Sequence, residues 1–442
     1  MFNLIIYTIN NMTSISSPRL PSSRYLSDDD ENFPPCNALE SKEAASKSKR
    51  TPLSPLRNIG NIPKEAPKES LYLARKDPRF DSYSSDAPKV KGLTDAKLTK
   101  IIAPWQKLAV EKERTLFVTD NNFFKSQRVI VTEDGHLIAV ECTERNKENC
   151  GTFKHFTQAK DLHAPSKRFA AVAMPCDASN NLETAINEME FLLRLKDIDG
   201  IARCWMSITY RNNNNNEEIL LILDLGDHGD LWKALNVSNL TFERQDLRSI
   251  TKQLLSTLKK IEDLGLIHRD IKARNIILSS RSEADHKEKG RFKVKLIDFG
   301  AMCEEKDKAA KALMKTTPLA ASPELARRLL AKTPELVSAT TNKLDVWQIG
   351  VCIYQIFNKM IASRVLDKDD PFPWFKGAKR PLECYEALKG YTSATVNFDA
   401  LAKVDKTITT LLQKMLVRKP SDRASAKELY TLYEQLIAND PI

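Results

Sequence analysis

The sequence predicts an α+β fold, strands first and helices after, and three observations carry the prediction. Short aliphatic and β-branched runs cluster between residues 128 and 223: Arg128-Val129-Ile130-Val131, Leu137-Ile138-Ala139-Val140, Phe169-Ala170-Ala171-Val172-Ala173-Met174 and Ile219-Leu220-Leu221-Ile222-Leu223. Beyond them Leu247, Ile250, Leu254, Leu258 and Ile261 keep the spacing of one buried helix face, with Thr241 as the expected cap. At 442 residues the chain is also long enough for a two-lobed domain plus extra sequence.

With 42% hydrophobic and 29% charged residues the chain has a globular average. The net charge of +10 permits weak attraction to anionic partners. No aromatic-studded basic stripe accompanies it, so a solvated basic surface is expected and no specific nucleic acid. The eight cysteines are scattered, with no Cys-x-x-Cys and no histidines at zinc spacing, which fits free thiols in a reducing compartment. The apolar start Met1–Tyr7 is too short to span a bilayer, and no other run is long and apolar enough to do so. The expected location is intracellular, cytoplasmic or nuclear, without a membrane.

Residues 1–90 hold 10 of the 21 prolines and one glycine among many serines. Such a stretch cannot bury enough apolar surface to offset its ordering entropy, so a disordered tail is expected. Ser17-Pro18, Thr51-Pro52 and Ser54-Pro55 are candidate phosphosites, Lys47-Ser48-Lys49-Arg50 is a candidate nuclear address, and the tail offers a place for a regulatory partner. Residues 91–135 read as an N-terminal extension: a packing helix on Leu98, Ile101, Ile102, Trp105 and Leu108, then the start of a hairpin turning at Glu133-Asp134-Gly135, where the main sheet is expected to begin.

The chemistry concentrates in His268-Arg269-Asp270-Ile271-Lys272-Ala273-Arg274-Asn275 and, after the apolar Val294-Lys295-Leu296-Ile297, in Asp298-Phe299-Gly300. Three more runs follow in order: Thr317-Pro318-Leu319-Ala320-Ala321-Ser322-Pro323-Glu324, Asp345-Val346-Trp347-Gln348-Ile349-Gly350 and Lys419-Pro420-Ser421-Asp422-Arg423. Together these resemble the catalytic loop, magnesium loop and later signatures of protein kinases. The resemblance covers about 136 to 437 and implies a bilobal kinase fold, with a small β-rich N-lobe to about 223 and a larger helical C-lobe from about 227. It implies ATP and Mg2+ as cofactors and a protein as substrate.

By that resemblance Asp270 orients the attacking hydroxyl and takes its proton, and Lys272 sits by the transferring phosphate, as in the Ser/Thr class. Asn275 and Asp298 supply the oxygen ligands that a hard ion prefers. Gly151 lies in the loop that covers the phosphates, Phe156 stands where a valine usually packs on adenine, and Ala173 and Ile277 belong to the nucleotide site. Backbone groups from Asp224 to Gly226 would meet the adenine, Asp230 would face the ribose, and Arg423 would pair with Glu324.

The strand lysine of the family is missing. Aligned on Val172-Ala173-Met174-Pro175, the lysine position falls on proline, and shifts of one or two residues offer Met174 or Ala173. Its acidic partner, Glu188, is present on a helix face with Leu192 and Leu195. Gly151-Thr152-Phe153-Lys154 resembles the with-no-lysine kinases, which move this lysine into the glycine-rich loop. Two readings of Lys154 stay open: a relocated phosphate anchor, or a solvated loop lysine. The bulky Phe156, with Asn149 in place of the first glycine, favours the alternative of a pseudokinase acting as a scaffold or binding module. A small-molecule kinase is disfavoured by Arg269, the complete Asp-Phe-Gly and the Glu324/Arg423 pair. Residues 301–315 contain no Ser, Thr or Tyr, so Glu304 or Glu305 is the expected fixed anion for Arg269, and Thr317 is expected to contact Asp270 and Lys272. With Ala273-Arg274 where many basophilic kinases carry Pro-Glu, no preference for arginine before the target is expected.

Overall fold

Short runs of consecutive apolar and β-branched residues build one antiparallel sheet in the first half of the chain, with β5 and β9 buried almost throughout. The computed structural model describes residues 154–440, with breaks at 165, 177–178, 212–216, 284–289, 308–316, 332–340 and 362–379, together with short segments between 71 and 141. Its strands are β1 (Leu71–Leu73), β2 (Arg75–Lys76), β3 (Leu116–Thr119), β4 (Gln127–Val131), β5 (Leu137–Glu141), β6 (His155–Asp161), β7 (Arg168–Pro175), β8 (Cys204–Arg211) and β9 (Glu217–Asp224). They run in the order β1-β3-β4-β5-β6-β7-β9-β8-β2. Because β1 and β2 are consecutive in the chain yet lie at opposite ends of that order, the sheet curls until its ends approach, and β1 contacts β8.

Two expectations are corrected here. The sheet does not begin at the 128–140 hairpin, although β4 and β5 do pair as expected, Val131 opposite Leu137. Nor is the whole of 1–90 without structure, since Leu71–Leu73 pairs with Leu116–Val118 and Arg75–Lys76 with Ile208–Thr209. Strands of two or three residues are too short to show periodicity and are held by their partners. The expected helix near 98–108 shows helical backbone at Ala103, Gln106, Lys107, Ala109 and Val110. The candidate phosphosites, the basic run at 47–50 and the 133–135 turn lie outside the described residues.

The pleat of β7 divides its side chains between two cores. Ala170, Val172 and Met174 pack toward helix α1 (Ser179–Arg194), against the cluster holding Ala185, Met189 and Leu192. Phe169, Ala171 and Ala173 pack on the other face with Ile138, Val140 and Ile222. One residue of offset therefore decides whether a β7 side chain faces the helix or the enclosed side of the curled sheet.

The second half is helical: α2 (Leu231–Asn236), α3 (Arg244–Asp263), α4 (Pro323–Ala331), α5 (Lys343–Ile361), α6 (Pro381–Lys389), α7 (Phe398–Ala402), α8 (Lys406–Met415) and α9 (Ala426–Asn439). α3 buries Leu247, Ile250, Leu254, Leu258 and Ile261 as their spacing predicts. It starts at Arg244 rather than after Thr241, because Asp246 reaches back to the Glu243 N–H at 3.0 Å and closes a capping box. α5 is buried nearly all round, from Leu344 to Ile361, as a helix through the middle of a lobe must be. Two short hairpin-like pairs hold the segments between them: β10 (Leu266–Ile267) with β13 (Cys303–Glu304), and β11 (Ile276–Ser280) with β12 (Phe292–Leu296). Among the described residues no helix is long and apolar enough to cross a membrane, and Cys176, Cys204, Cys303, Cys352 and Cys384 are not joined in disulfides.

Candidate active site

The loop from His268 to Asn275 leaves β10 and enters β11, and its backbone is held by α5. Asp345 accepts the N–H groups of His268 (2.7 Å) and Arg269 (2.8 Å). Gln348, one turn further along the same helix, accepts from the Ile271 N–H at 2.9 Å and donates to the Arg269 carbonyl at 2.9 Å. Burial pushes the Asp345 carboxyl up to about 7, against the pull of the two N–H donors. Arg269 sits at φ 72°, in the left-handed region that costs an L-residue about 1–3 kcal/mol. These side-chain bonds to the loop hold that conformation. Gln348 stands where the resembled motif has serine, so the motif marked its position without revealing this double contact.

Within the loop Asn275 donates from Nδ2 to the Asp270 carbonyl at 2.8 Å and to Asp270 Oδ2 at 3.3 Å. Lys272 lies 3.4 Å from Asp270 Oδ2 and donates to Thr317 Oγ1 at 2.8 Å. Thr317 in turn donates to Asp270 Oδ1 through both its N–H and its hydroxyl, each at 3.1 Å. Asp270, Lys272, Asn275 and Thr317 thus form one connected group, as expected for Thr317.

Across from this group stands Lys154, at the entry to β6. Its Nζ is 2.5 Å from Glu188 Oε2 on α1 and 2.5 Å from Asp298 Oδ1. Burial opposes its charge, but Asp298 and Glu188 more than compensate and raise its pKa above the ordinary lysine value. Burial likewise pushes Asp298 upward, yet Lys154 outweighs it and holds that carboxyl down at about 2. For Glu188 burial wins and the shift is upward. Lys154 is therefore no solvated loop lysine. Asp298 has φ 67°, a second left-handed non-glycine residue within the same site.

Ladder register explains how a lysine from β6 reaches this spot. His155 lies opposite Ala173 and Phe156 opposite Val172, so the next step back places Lys154 across from Met174. Met174 shares the β7 face that looks onto α1, and it is buried there. Ala173 is on the enclosed face. The assignment of Ala173 to the nucleotide site is corrected: strand parity sends its side chain away from the cleft. Phe156 is 40% exposed, one of the more exposed large apolar side chains among the described residues. Gly151 lies outside them.

At the junction of the lobes Asp224 is used structurally. Its carboxylate takes Lys295 Nζ at 2.6 Å, Trp205 Nε1 at 2.7 Å and the Arg203 N–H at 2.9 Å. Neither Trp205 nor Lys295 was singled out by the sequence. Gly226 runs so close to the Leu278 backbone that a Cβ would lie 2.6 Å from its carbonyl oxygen. Asp230 caps α2 by accepting the Lys233 N–H at 2.8 Å and bridges in the backbone to Ile277. Burial raises its pKa despite that bond.

Two further expectations divide. Arg423 does pair with Glu324, through two bonds of 2.9 and 3.0 Å, with both side chains shielded from water. Arg269 does not take Glu304 or Glu305. Its Nε donates to the Ala301 carbonyl, while Glu304 pairs with Arg194 of α1 at 3.0 Å. β13 pairs with β10 and thereby turns Glu304 toward the end of α1.

A curled β-sheet lobe over a helical lobe, with this loop between them, is the bilobal architecture of protein kinases. The family model described as protein kinase domain matches residues 151–432, and the chain belongs to that family. It is 25% identical over 295 residues to the serine/threonine-protein kinase PKH1 of Saccharomyces cerevisiae, covering 62% of this chain and 34% of that one. With the serine/threonine-protein kinase PAK mbt of Drosophila melanogaster it shares 28% identity over 195 residues, 44% of this chain and 25% of the other. The chain thus spans about a third or less of these curated relatives. Among solved structures, a chain of the CAK complex from Chaetomium thermophilum bound to ATP-γ-S matches with 17% identity and a TM-score of 0.45, over 66% of this chain and 89% of that one.

Proposed function

We propose that this protein transfers the γ-phosphate of ATP to serine or threonine hydroxyls of protein substrates, with Lys154 as the cation that anchors the nucleotide phosphates. The observation that carries this reading is the contact of Lys154 with both Glu188 and Asp298 at 2.5 Å. A lysine in that place does what the missing strand lysine would do: Glu188 orients it, and its charge faces the cleft. Phosphoryl transfer depends on positioning and on neutralising charge, and a fixed, half-buried ammonium contributes both.

Asp270 is the proton acceptor of the reading. Thr317 and Lys272 hold its two oxygens from one side, which leaves the carboxylate oriented as a hydrogen-bond acceptor for a substrate hydroxyl. Lys272 balances charge on the group in transit. The donor set also fits magnesium: Asp298 offers a carboxylate held ionised, and Asn275 spends its NH2 on Asp270, so its amide oxygen remains as a neutral ligand. When bound, the ion supplies Lewis-acid neutralisation of the phosphate oxygens. Asp224–Gly226 and Ile277 would border the base, and Asp230 the ribose.

The second reading, a pseudokinase scaffold, is favoured by one observation: Phe156 is exposed, and by the family resemblance it stands where a smaller side chain would cover the adenine. A radiolabel transfer assay with Mg-ATP on a peptide library separates the two. Activity in the wild type that falls about 10²–10⁴-fold in Asp270→Asn, with Mg-ATP binding kept, supports the kinase. Binding without transfer in either protein supports the scaffold.

A further inference from the structure

α1 is tied to the segment after Asp298-Phe299-Gly300 at points that the phosphate anchor does not use. Asn187, the neighbour of Glu188, donates from Nδ2 to the carbonyls of Gly300 at 3.2 Å and Met302 at 3.1 Å. One primary amide has two N–H donors, and here both go to carbonyls two residues apart. That geometry fixes the rotation of α1 about its axis as well as its distance from the segment. Nearly two turns further on, Arg194 meets Glu304 at 3.0 Å. Glu304 belongs to β13, and the next N–H, that of Glu305, donates to the Gly265 carbonyl at 2.8 Å. The acceptor for Arg194 is thereby built onto the strand that leads into His268.

The two ties differ in weight. The side chains of Arg194 and Glu304 are 43% and 35% exposed, so their pair is screened and worth little. Asn187 is partly buried and bonds to backbone that cannot move without moving Asp298. In addition, residues 301–315 contain no hydroxyl side chain, so no phosphate can be attached there to supply a tie.

We propose that Asn187 is a positioning residue that holds α1 where Glu188 meets Lys154, and that it sets this arrangement without phosphorylation of residues 301–315. The effect on rate rests on the kinase reading above; the effect on α1 does not.

The test uses the full chain after phosphatase treatment, its phosphate-free state checked by mass spectrometry. Hydrogen exchange is followed across 179–194 and 300–304, and Mg-ATP transfer is measured alongside. Asn187→Asp is the informative variant, since it keeps the size and shape but replaces two donors with a carboxylate facing two carbonyl oxygens. We expect slow α1 exchange in the phosphate-free wild type and about tenfold faster exchange in Asn187→Asp, with kcat lowered about tenfold and KM for the peptide unchanged. Asn187→Ala should fall between the two. Arg194→Glu should change either readout less than about twofold, and adding Glu304→Arg should reverse even that.

Fast α1 exchange in the phosphate-free wild type overturns the proposal, as does an Asn187→Asp protein that exchanges like wild type. Should the wild type transfer no phosphate while Asn187→Asp still loosens α1, the positioning role stands and the kinase reading falls.

Discussion

On the large-lobe wall of the cleft, the N–H groups of His268, Arg269 and Ile271 are held by two side chains of a single buried helix, Asp345 and Gln348. On the small-lobe wall the Lys154 ammonium comes from the start of a strand, and its position depends on two carboxylates carried by other elements, Glu188 and Asp298. The first wall is rigid because backbone is bonded to a helix that is itself core. The second is an electrostatic meeting point, which exists only while α1, β6 and the Asp298 turn keep their relative places. A mutation in the first wall should therefore read out mainly as stability. One in the second should read out mainly as rate.

The largest expected effect tests the second wall. Lys154→Met should lower transfer about 10²–10³-fold, the scale of removing one preorganised charge-stabilising group. Because Met174 shares the face onto which Lys154 opens, adding Met174→Lys should recover about tenfold of that loss. A double variant as inactive as the single one would show that the two positions do not share a cleft face. Placing the lysine at 173 instead should recover nothing, since that side chain enters the enclosed core.

Gln348→Ala tests the first wall. It strands the Ile271 N–H and the Arg269 carbonyl in a buried place, at about 1–3 kcal/mol for each group. At about 2–4 °C per kcal/mol, thermal unfolding should move down by several degrees while KM for ATP is kept. A shift smaller than about 2 °C would mean that the loop does not depend on this helix.

The smallest effect is one of pH. The Asp298 carboxyl is lowered from 3.8 to about 2 by Lys154. A depressed acid contributes stability that is complete above its unfolded pKa and is lost as pH falls through the folded one. In Lys154→Met the buried Glu188 carboxylate and the partly exposed Asp298 carboxylate share the site without a counter-charge, so acidification should relieve that protein. Denaturant titrations at about pH 5 and about pH 3 should show the stability gap between wild type and variant narrowing. A constant gap would argue that Lys154 and Asp298 do not interact in solution.

Much of the large lobe was legible because its motifs are contiguous: Asp270, Asn275, Asp298, Glu324 and Arg423 lie in short runs whose spacing is set by local backbone geometry. The small lobe was less legible. That Lys154 meets Glu188 depends on register between β6 and β7, a relation between strands that no local spacing encodes, and the same register removed Ala173 from the site. Glu304 was recognised as a fixed anion, but its partner is Arg194, because strand pairing with β10 decides which way it points. Asn187 and Trp205 gave no signal, and for Gln348 the motif marked the position but not the contact. Each is a single polar or aromatic side chain whose partner is backbone or a distant carboxylate.

The edges of the small-lobe sheet carry one more consequence. They are formed by strands of three and two residues, β1 and β2, contributed from 71–76. Edges that short offer almost no template for another chain. A protein truncated to begin at residue 137 would lack β1 to β4 and lay bare the ladder groups of β5 on one side and those of β8 at Ile208 and Thr209 on the other. Such a fragment would keep Asp270, Asn275 and Asp298 and still be prone to pair with itself, so self-association on truncation would be a property of the cut and not of the intact chain.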